Sequence, residues 1–392
     1  MAELGGAGRD RGPLAVAALA VALRLVAVCL LPPDDAYPDT VDYVGFGRVL
    51  ADGSGWWNDS LRPPFYPMFL AAIFKLGGGL TAVKLAQVLL DGVTVVALVR
   101  LALALGLTRG FALGAGLLWA VNPFGIQFAR LVLSECLGGT LLVGALALWA
   151  RPGGAPRARA LASGALLGLC ALTRASTLVV IPLAALLRPA GGDSPPVARL
   201  ARAALLCAGA ALAILPWAVR NTVLYGEVVL IAPTGGRSLW DGLSEYADGG
   251  PRMKGPEVWP HADNAASTDR LYRALAVEWA RAHPHEVVAL AVEKQRRFWS
   301  PVPNFEKYRR MPYVLVGFFE LPLILAGLGG CVLAVAKRLP AWRLVPVLAC
   351  FPLLHLVYLG SVRYRMPIEP LLCIFAALAA QVAWTRRPET TA

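Results

Sequence analysis

The chain reads as an all-α polytopic protein that crosses a membrane about ten times. Three observations carry that reading. Of its 392 residues, 57% are hydrophobic and only 16% are charged, with a mean hydropathy of +0.59; a soluble domain carries about 25% charged residues. The apolar residues gather in runs close to the roughly 20 residues that a helix needs to span a bilayer. The positive charge, finally, is sorted between alternate connecting segments. Together these exclude a soluble globular enzyme, a disordered chain and a disulfide scaffold.

Taken in order, the apolar runs place spans near 14–31, 82–104, 110–127, 136–150, 160–173, 175–188, 200–219, 312–336, 342–360 and 366–385. The runs 160–173 and 175–188 are short enough for a re-entrant hairpin, so the bundle holds eight to twelve spans. The first run is flanked by charge like a signal peptide. It continues into an acidic loop with no small-residue cleavage site, and so reads as a retained anchor. Residues 64–79 (PFYPMFLAAIFKLGGG) are apolar but short, with Pro at the start and Gly at the end, and read as a juxtamembrane helix. No internal repeat stands out, which weakens a secondary-transporter reading. The organisation that follows is an N-terminal transmembrane module over 1–219, with an outside loop at 32–63, an extracytoplasmic loop domain over 220–311, and C-terminal helices with a cytoplasmic tail over 312–392.

Sidedness comes from the basic residues. With the N-terminus inside, the inside segments hold 15 basic residues (Arg9, Arg11, Arg100, Arg109, Arg151, Arg157, Arg159, Arg188, Arg199, Arg202, Lys337, Arg338, Arg343, Arg386 and Arg387) against 4 acids (Glu3, Asp10, Asp193 and Glu389). That difference is nearly the whole net charge of +12. The excess is therefore a topology signal and not a nucleic-acid footprint. Both termini are expected in the cytoplasm and the two long loops outside. The seven cysteines all fall in spans or at their edges and behave as small apolar residues. No zinc-ligand spacing is present. The outer stretch 220–311 carries 13 basic and 11 acidic residues. Within it, 268–300 has amphipathic spacing suited to the lipid interface.

Chemistry concentrates on the outside face. The loop 32–63 holds six Asp (34, 35, 39, 42, 52 and 59), of which Asp39 and Asp42 precede a helical run from Val41 to Leu50 ended at Asp52-Gly53. A carboxylate there serves either as a general base on an incoming hydroxyl or amine, or as a helix cap, with Asp39 a candidate N-cap. Glu135, in RLVLSECLGG, interrupts an apolar run where one span ends and the next begins. Such an acid is costly unless paired or facing water; the alternative is a Ser134–Glu135 cap. Arg62, Lys84, Arg174, Arg363 and Arg365 collect on the same face, against the positive-inside bias. A phosphate suits the guanidinium fork, with snorkelling to headgroups as the alternative for any one of them. Inside the spans, Arg24 is expected to snorkel towards the cytoplasm, Gln87 and Asp91 to hydrogen-bond across helices, and Glu320 and His355 to satisfy one another or a backbone carbonyl.

The order of these pieces resembles a known family. An acidic first loop from Asp39 through Tyr43 is followed by RPPFYP with Arg62 and Tyr66, then NPF…RLVLSE, ALTR, PWAVRNTVLYGEVVLIAPTGGRSLWDG and finally RYRMPIEP. This is similar to the bacterial branch of the GT-C glycosyltransferases, near the dolichyl-phosphate-mannose protein mannosyltransferases (glycosyltransferase family 39) and the lipid A aminoarabinose transferase. The resemblance implies a GT-C-like bundle that takes a polyprenyl-phosphate-linked sugar and transfers it outside the cytoplasm. It implies Asp39 as catalytic base and Glu135 as a second outside acid. Asp42, Tyr43, Arg62, Tyr66, Lys84, Arg174, Arg363 and Arg365 become substrate-binding candidates. The family often has Asp-Glu where this chain has Asp39-Thr40. Leu61 stands where the aminoarabinose transferase has a zinc-binding Glu, which argues against the same zinc site and leaves a divalent cation open.

The expected reaction is a single inverting displacement at the anomeric carbon by a hexosyl- or pentosyltransferase of a bacterial plasma membrane. The acceptor is a protein, lipid or glycan, and no nucleic acid is involved. Three alternatives stand beside it: a polysaccharide ligase or polymerase with a pyrophosphate-linked donor, a transporter of a lipid-linked sugar, and a non-catalytic scaffold.

Overall fold

The computed structural model describes residues 11–31, 37–55, 61–186, 195–251, 255–256, 259–304 and 313–385. Asp34, Asp35 and Asp59, with Glu3, Arg9, Asp10, Arg188, Asp193, Arg386, Arg387 and Glu389, lie outside them. Among the described residues the structure is helical throughout, without strands. Eight of the seventeen described helices carry a proline at their first or second position, where its fixed φ and missing N–H suit the first turn. Their order is α1 (Gly12–Leu30), α2 (Pro38–Ala51), α3 (Phe65–Lys75), α4 (Leu80–Ala104), α5 (Arg109–Val121), α6 (Pro123–Arg130), α7 (Glu135–Ala150), α8 (Pro156–Thr173) and α9 (Val180–Leu186). Then come α10 (Pro196–Tyr225), α11 (Gly235–Gly242), α12 (Ala265–Ala282), α13 (Pro284–Phe298), α14 (Tyr313–Ala336), α15 (Val345–Leu354), α16 (Val362–Arg365) and α17 (Glu369–Trp384).

The expected apolar runs fall on helices wherever they are described. Among the described residues, four helices are long and apolar enough to cross a membrane alone: α1, α4, α10 and α14. The pair α5 and α6 makes a fifth if its 53° bend lies within one span. The bend has a local cause: Asn122 leaves the helical region and its side chain accepts from Gly125 N at 2.7 Å, capping a new helix at Pro123. Helices α7, α9, α15 and α17 are apolar but shorter. The run 175–188 begins as a 3₁₀ turn over Ala175–Val179, because Arg174 breaks the helix ahead of it.

Two contacts set the spacing of the bundle. Helices α8 and α10 cross through Gly164, Gly168 and Gly209: a Cβ on Gly164 would stand 1.9 Å from Leu206 O, and one on Gly209 would stand 2.1 Å from Leu161 O. Only glycine permits that approach, the device by which helices pack in lipid without a hydrophobic drive. Helices α1, α4 and α5 are tied by Arg24, which is fully buried and ion-paired with Asp91. Arg24 also donates to Ala120 O at 2.7 Å and Trp119 O at 3.1 Å, while Trp119 Nε1 donates to Asp91 at 3.0 Å. The expected snorkelling of Arg24 is thus corrected: a partner inside the bundle satisfies the charge that would otherwise seek the surface.

Within the stretch 220–304 a small second core forms, in which Trp240 and Leu243 from the α11 region pack against Tyr272 and Ala276 of α12. The expected amphipathic run 268–300 is two helices, broken at His283-Pro284. Asn264 and Ser267 form a reciprocal capping box at the start of α12. One face of α12 is spent on that core, whereas α13 leaves Val288 and Val292 exposed.

Replacing Asp91 with Ala strands the Arg24 guanidinium inside the bundle. It should destabilise the protein by about 3–5 kcal/mol, whereas the double change Arg24→Leu/Asp91→Leu should cost far less. Thermal unfolding of the purified variants reads both; equal losses would show that the helix contact, and not the stranded charge, sets the cost.

Candidate functional site

The first turn of α2 supplies the first acid. Asp39 follows Pro38 inside the helix, so the expected N-cap role is corrected: Tyr37 is the N-cap and makes no side-chain cap bond. At i, i+3 and i+4, Asp39, Asp42 and Tyr43 share one helical face. Thr40, on another face, donates to Val132 O at 3.1 Å and fixes α2 against the segment that leads into α7.

Arg62 enters from the segment before α3. Its Nη2 donates to Asp39 Oδ1 at 2.5 Å and to Asp42 Oδ2 at 2.8 Å, and its guanidinium lies 5.7 Å from the ring centre of Tyr43. Arg363, on the short helix α16, donates through Nη1 to Asp39 and through Nε to Glu135. Arg174 pairs with Glu135 at 2.7 Å and donates to Ser134 Oγ at 3.2 Å. Asp42, Arg62, Asp39, Arg363, Glu135 and Arg174 therefore form one line of alternating charge, drawn from α2, the segment before α3, α7, the end of α8 and α16. Tyr43 OH reaches Ser134 Oγ at 3.4 Å, and Tyr37 lies under Arg363 at 5.4 Å.

Local sequence explains the placement. Glu135 opens α7, where the helix dipole favours an acid. Arg174 leaves the helical region at the end of α8 with φ −145° and ψ 104°, so its side chain projects from a break. Gly138 one turn into α7 leaves room for it; a Cβ there would meet Arg174 Cδ at 3.0 Å.

This line of charge borders a cleft of about 700 Å³. Its charged end holds Asp39, Arg62, Arg174 and Arg363; its apolar wall is Leu178, Val179, Ile181, Pro182 and Leu354. Thr234, Gly235 and Ser238 from the outer stretch close one side. Burial pushes the Asp39 carboxyl up, but Arg363 and then Arg62 outweigh it and hold the group below the ordinary aspartate value. Burial lowers and Glu135 and Asp39 raise Arg363, leaving it well above the usual arginine value and permanently charged.

Asp42 and Glu135 belong to the line of charge without lining the cleft, and three further expected site residues are placed elsewhere. Arg365 turns away from the cleft and is fully buried: it pairs with Glu369, donates to Phe298 O at 2.9 Å and Ser300 O at 2.8 Å, and reaches Glu320 at 3.5 Å. Two residues beyond Arg363, it faces the opposite side of the segment. Tyr66 lies beneath the site and does not line the cleft: its ring meets Tyr43 edge-on at 4.8 Å and its OH donates to Gln87 at 2.6 Å. Lys84 is buried on α4 and does not line the cleft either. Gln87 braces the turn before α7 by donating to Ala129 O and Leu131 O at 3.0 and 2.7 Å. Gln87 and Asp91 thus both bond across helices as expected, Gln87 to α6 and Asp91 to Trp119 of α5 and Arg24 of α1.

The structure adds cleft residues that the sequence did not single out. Tyr364 sits between the two arginines of RYR and stacks on His355 at 4.6 Å. His355 donates through Nδ1 to Leu359 O at 2.6 Å, so it finds a backbone carbonyl and not Glu320, which pairs with Asn122 at 2.8 Å. Nothing in an apolar run signals which face of it lines a cleft. Among the described residues no group of three or more His, Cys, Asp or Glu stands ready to hold a metal ion.

No protein-family model matches the chain, and no curated protein matches it. Among solved structures, it superposes on an oligosaccharyltransferase of Archaeoglobus fulgidus, captured with an acceptor peptide containing the NVT sequon tethered through a disulfide bond. The TM-score is 0.58 at 13% identity, over 96% of this chain and 50% of that one. The chain thus spans about half the length of that protein and shares its helical fold.

The lowered Asp39 value fixes a sign. A carboxyl held below its ordinary pKa of 3.8 contributes stability that is complete above that value and is lost as the pH falls through the lowered one. Thermal midpoints should therefore carry an acid limb below about pH 4 that shrinks in Asp39→Asn. Identical acid limbs in the two proteins would place the lost charge elsewhere.

Proposed function

We propose that the protein is a membrane glycosyltransferase that moves a sugar from a polyprenyl-phosphate donor to an acceptor, with inversion, at the extracytoplasmic face of a bacterial plasma membrane. One observation carries the reading: three guanidinium groups and the Asp39 carboxylate line the charged end of a cleft whose other wall is apolar, and Glu135 pairs with two of those guanidiniums. A ligand with a phosphate head and a long hydrocarbon tail matches both ends. The shared fold and the family resemblance of the motifs support the same assignment, and the sorted basic residues support the sidedness.

In this reading the acceptor oxygen or nitrogen attacks the anomeric carbon as the bond from that carbon to the phosphate oxygen breaks. The acceptor proton passes to Asp39, and polyprenyl phosphate leaves with the bonding pair. Arg62, Arg363 and Arg174 take up the growing negative charge in a site shielded from bulk water, where such charges act most strongly. Phosphate is a good leaving group, so no strong acid is required. Glu135 acts through Arg363 and Arg174, holding both forks towards the cleft, and Asp42 does the same for Arg62.

Both oxygens of Asp39 are engaged by arginines. An incoming phosphate competes for the same guanidiniums and loosens their hold on Asp39, which raises its basicity as the donor arrives. The arginines supply the charge neutralisation that a divalent cation supplies elsewhere; any assisting cation would use the carboxylates of Asp39 and Glu135.

Asp39→Asn should lower transfer by about 10²- to 10⁴-fold while donor binding persists. Arg62→Ala should chiefly weaken donor binding, by roughly 10- to 100-fold for the loss of a charged hydrogen bond. Membranes incubated with a panel of radiolabelled polyprenyl-phosphate sugars read both effects. Full activity of Asp39→Asn removes the base from the scheme, and unchanged donor affinity removes Arg62 from the phosphate site.

A further inference from the structure

A second group of arginines lies at the far end of the helix that carries Glu135. Helix α7 has 16 residues, about 24 Å at 1.5 Å per residue, close to the roughly 30 Å of a bilayer's hydrocarbon core. Where it ends, the chain turns through Arg151, Pro152, Gly153 and Gly154 and starts α8 at Pro156. Beside this turn stands Arg202, in the second turn of α10. Together they enclose a cavity of about 200 Å³ lined by Trp149, Arg151, Arg159 and Arg202. No acidic side chain is among its lining residues.

Three features of this cavity call for an anion. Three guanidinium-bearing residues share one small space. Arg159 is fixed there, because its Nη1 donates to Arg151 O at 2.9 Å and Pro152 O at 3.1 Å. Its Nε and the Nε1 of Trp149, both buried, have no hydrogen-bond partner, although Trp149 is only 8% exposed. Two unmet buried donors are a standing cost that an acceptor-rich ligand removes. The start of α8 adds the positive end of its dipole on the same side.

The surroundings say what kind of anion. On the same helices that supply Arg159 and Arg202, Leu161 of α8 and Val197 and Leu200 of α10 are exposed apolar side chains. A ligand seated among the arginines would therefore lay any hydrocarbon chain along these residues. Basic pockets between the ends of spanning helices favour anionic headgroups, and a Trp at that depth suits the interface.

We infer that this cavity binds the phosphodiester headgroup of an anionic membrane lipid, in the leaflet remote from the cleft at Asp39. The headgroup accepts from the guanidinium groups, and so links the α7–α8 turn to α10 across the gap. This site is independent of the catalytic reading, since none of its residues touches the cleft.

The test uses the purified full chain and native mass spectrometry with phosphatidylglycerol, phosphatidylcholine and inorganic phosphate as separate probes. The wild type should retain phosphatidylglycerol in preference to phosphatidylcholine, and Arg202→Gln should lower that preference by about fivefold. Arg159→Gln removes the bonds that hold the turn and can unfold it; Arg202→Gln leaves the turn intact, and Arg159→Lys keeps the charge. Arg100→Gln, an exposed arginine at the end of α4 outside the cavity, should leave the preference unchanged. Equal retention of the two lipids overturns the inference, as does the same loss in Arg100→Gln. Binding of inorganic phosphate without any preference for phosphatidylglycerol overturns the lipid assignment and leaves a site for a free anion.

Discussion

One guanidinium group organises the charged end of the cleft. Arg363 bridges Asp39 on α2 and Glu135 on α7, two acids that belong to separate helices and have no other direct link. Burying ions is expensive, and their mutual attraction returns that cost only when geometry and further hydrogen bonds are good. A bundle of apolar helices has cheaper ways to hold itself together, and this one uses them at the glycine crossing of α8 and α10. The line of charge from Asp42 to Arg174 is therefore poorly explained as a device for stability. Ionisable groups concentrated beside a cavity are better explained by what enters the cavity.

The neighbour of Arg363 in the RYR sequence shows how the bridge is held in place. Arg365 points the other way and joins α17 through Glu369, α14 through Glu320 and the end of α13 through Phe298 O and Ser300 O. Lys294 of α13 extends that attachment by donating to Leu356 O and Val357 O at 3.2 and 2.8 Å. The outer stretch and the last two long helices thus meet at the segment that presents Arg363. A residue that looked like a second phosphate ligand works as an anchor for the first, and a short helix of only four residues is given a fixed position that its own hydrogen bonds could not secure.

Much of this was legible in the residues. Apolar runs located the helices because lipid tolerates few other arrangements of backbone. Acids and arginines standing at run boundaries pointed to Asp39, Glu135, Arg62, Arg174 and Arg363, because charge at those positions is costly without a partner. What stayed hidden was direction. Arg363 and Arg365 are two residues apart and chemically alike, and only the local backbone decides which faces the cleft. Arg24 looked surface-seeking because its partner Asp91 is 67 positions away in the chain, on another helix. Tyr66 and Lys84 fell within the right motifs, but the depth at which a side chain sits depends on helix packing that no local pattern records. Segment length misled in the same way at Asn122: the run 110–127 continues past it, although hydrogen bonding there ends one helix and caps the next.

The positions of the charged groups along their helices carry a further electrostatic consequence. Asp39 and Glu135 both lie in the first turn of a helix, at the positive end of its dipole, whereas Arg174 stands at the C-terminal end of α8, where the dipole is negative. Each charge is thus favoured by the backbone that carries it before any side chain pairs with it. Such stabilisation cannot diffuse away or be displaced. In the proposed reaction, where a phosphate draws the guanidinium groups towards itself, the acids they leave behind are still favoured by fixed dipoles. Groups mounted on flexible loops would have to reorganise at that moment, at a cost to the reaction. Placing the acids at helix starts and an arginine at a helix break is how a fold made almost wholly of apolar helices keeps a charged site rigid and open at once.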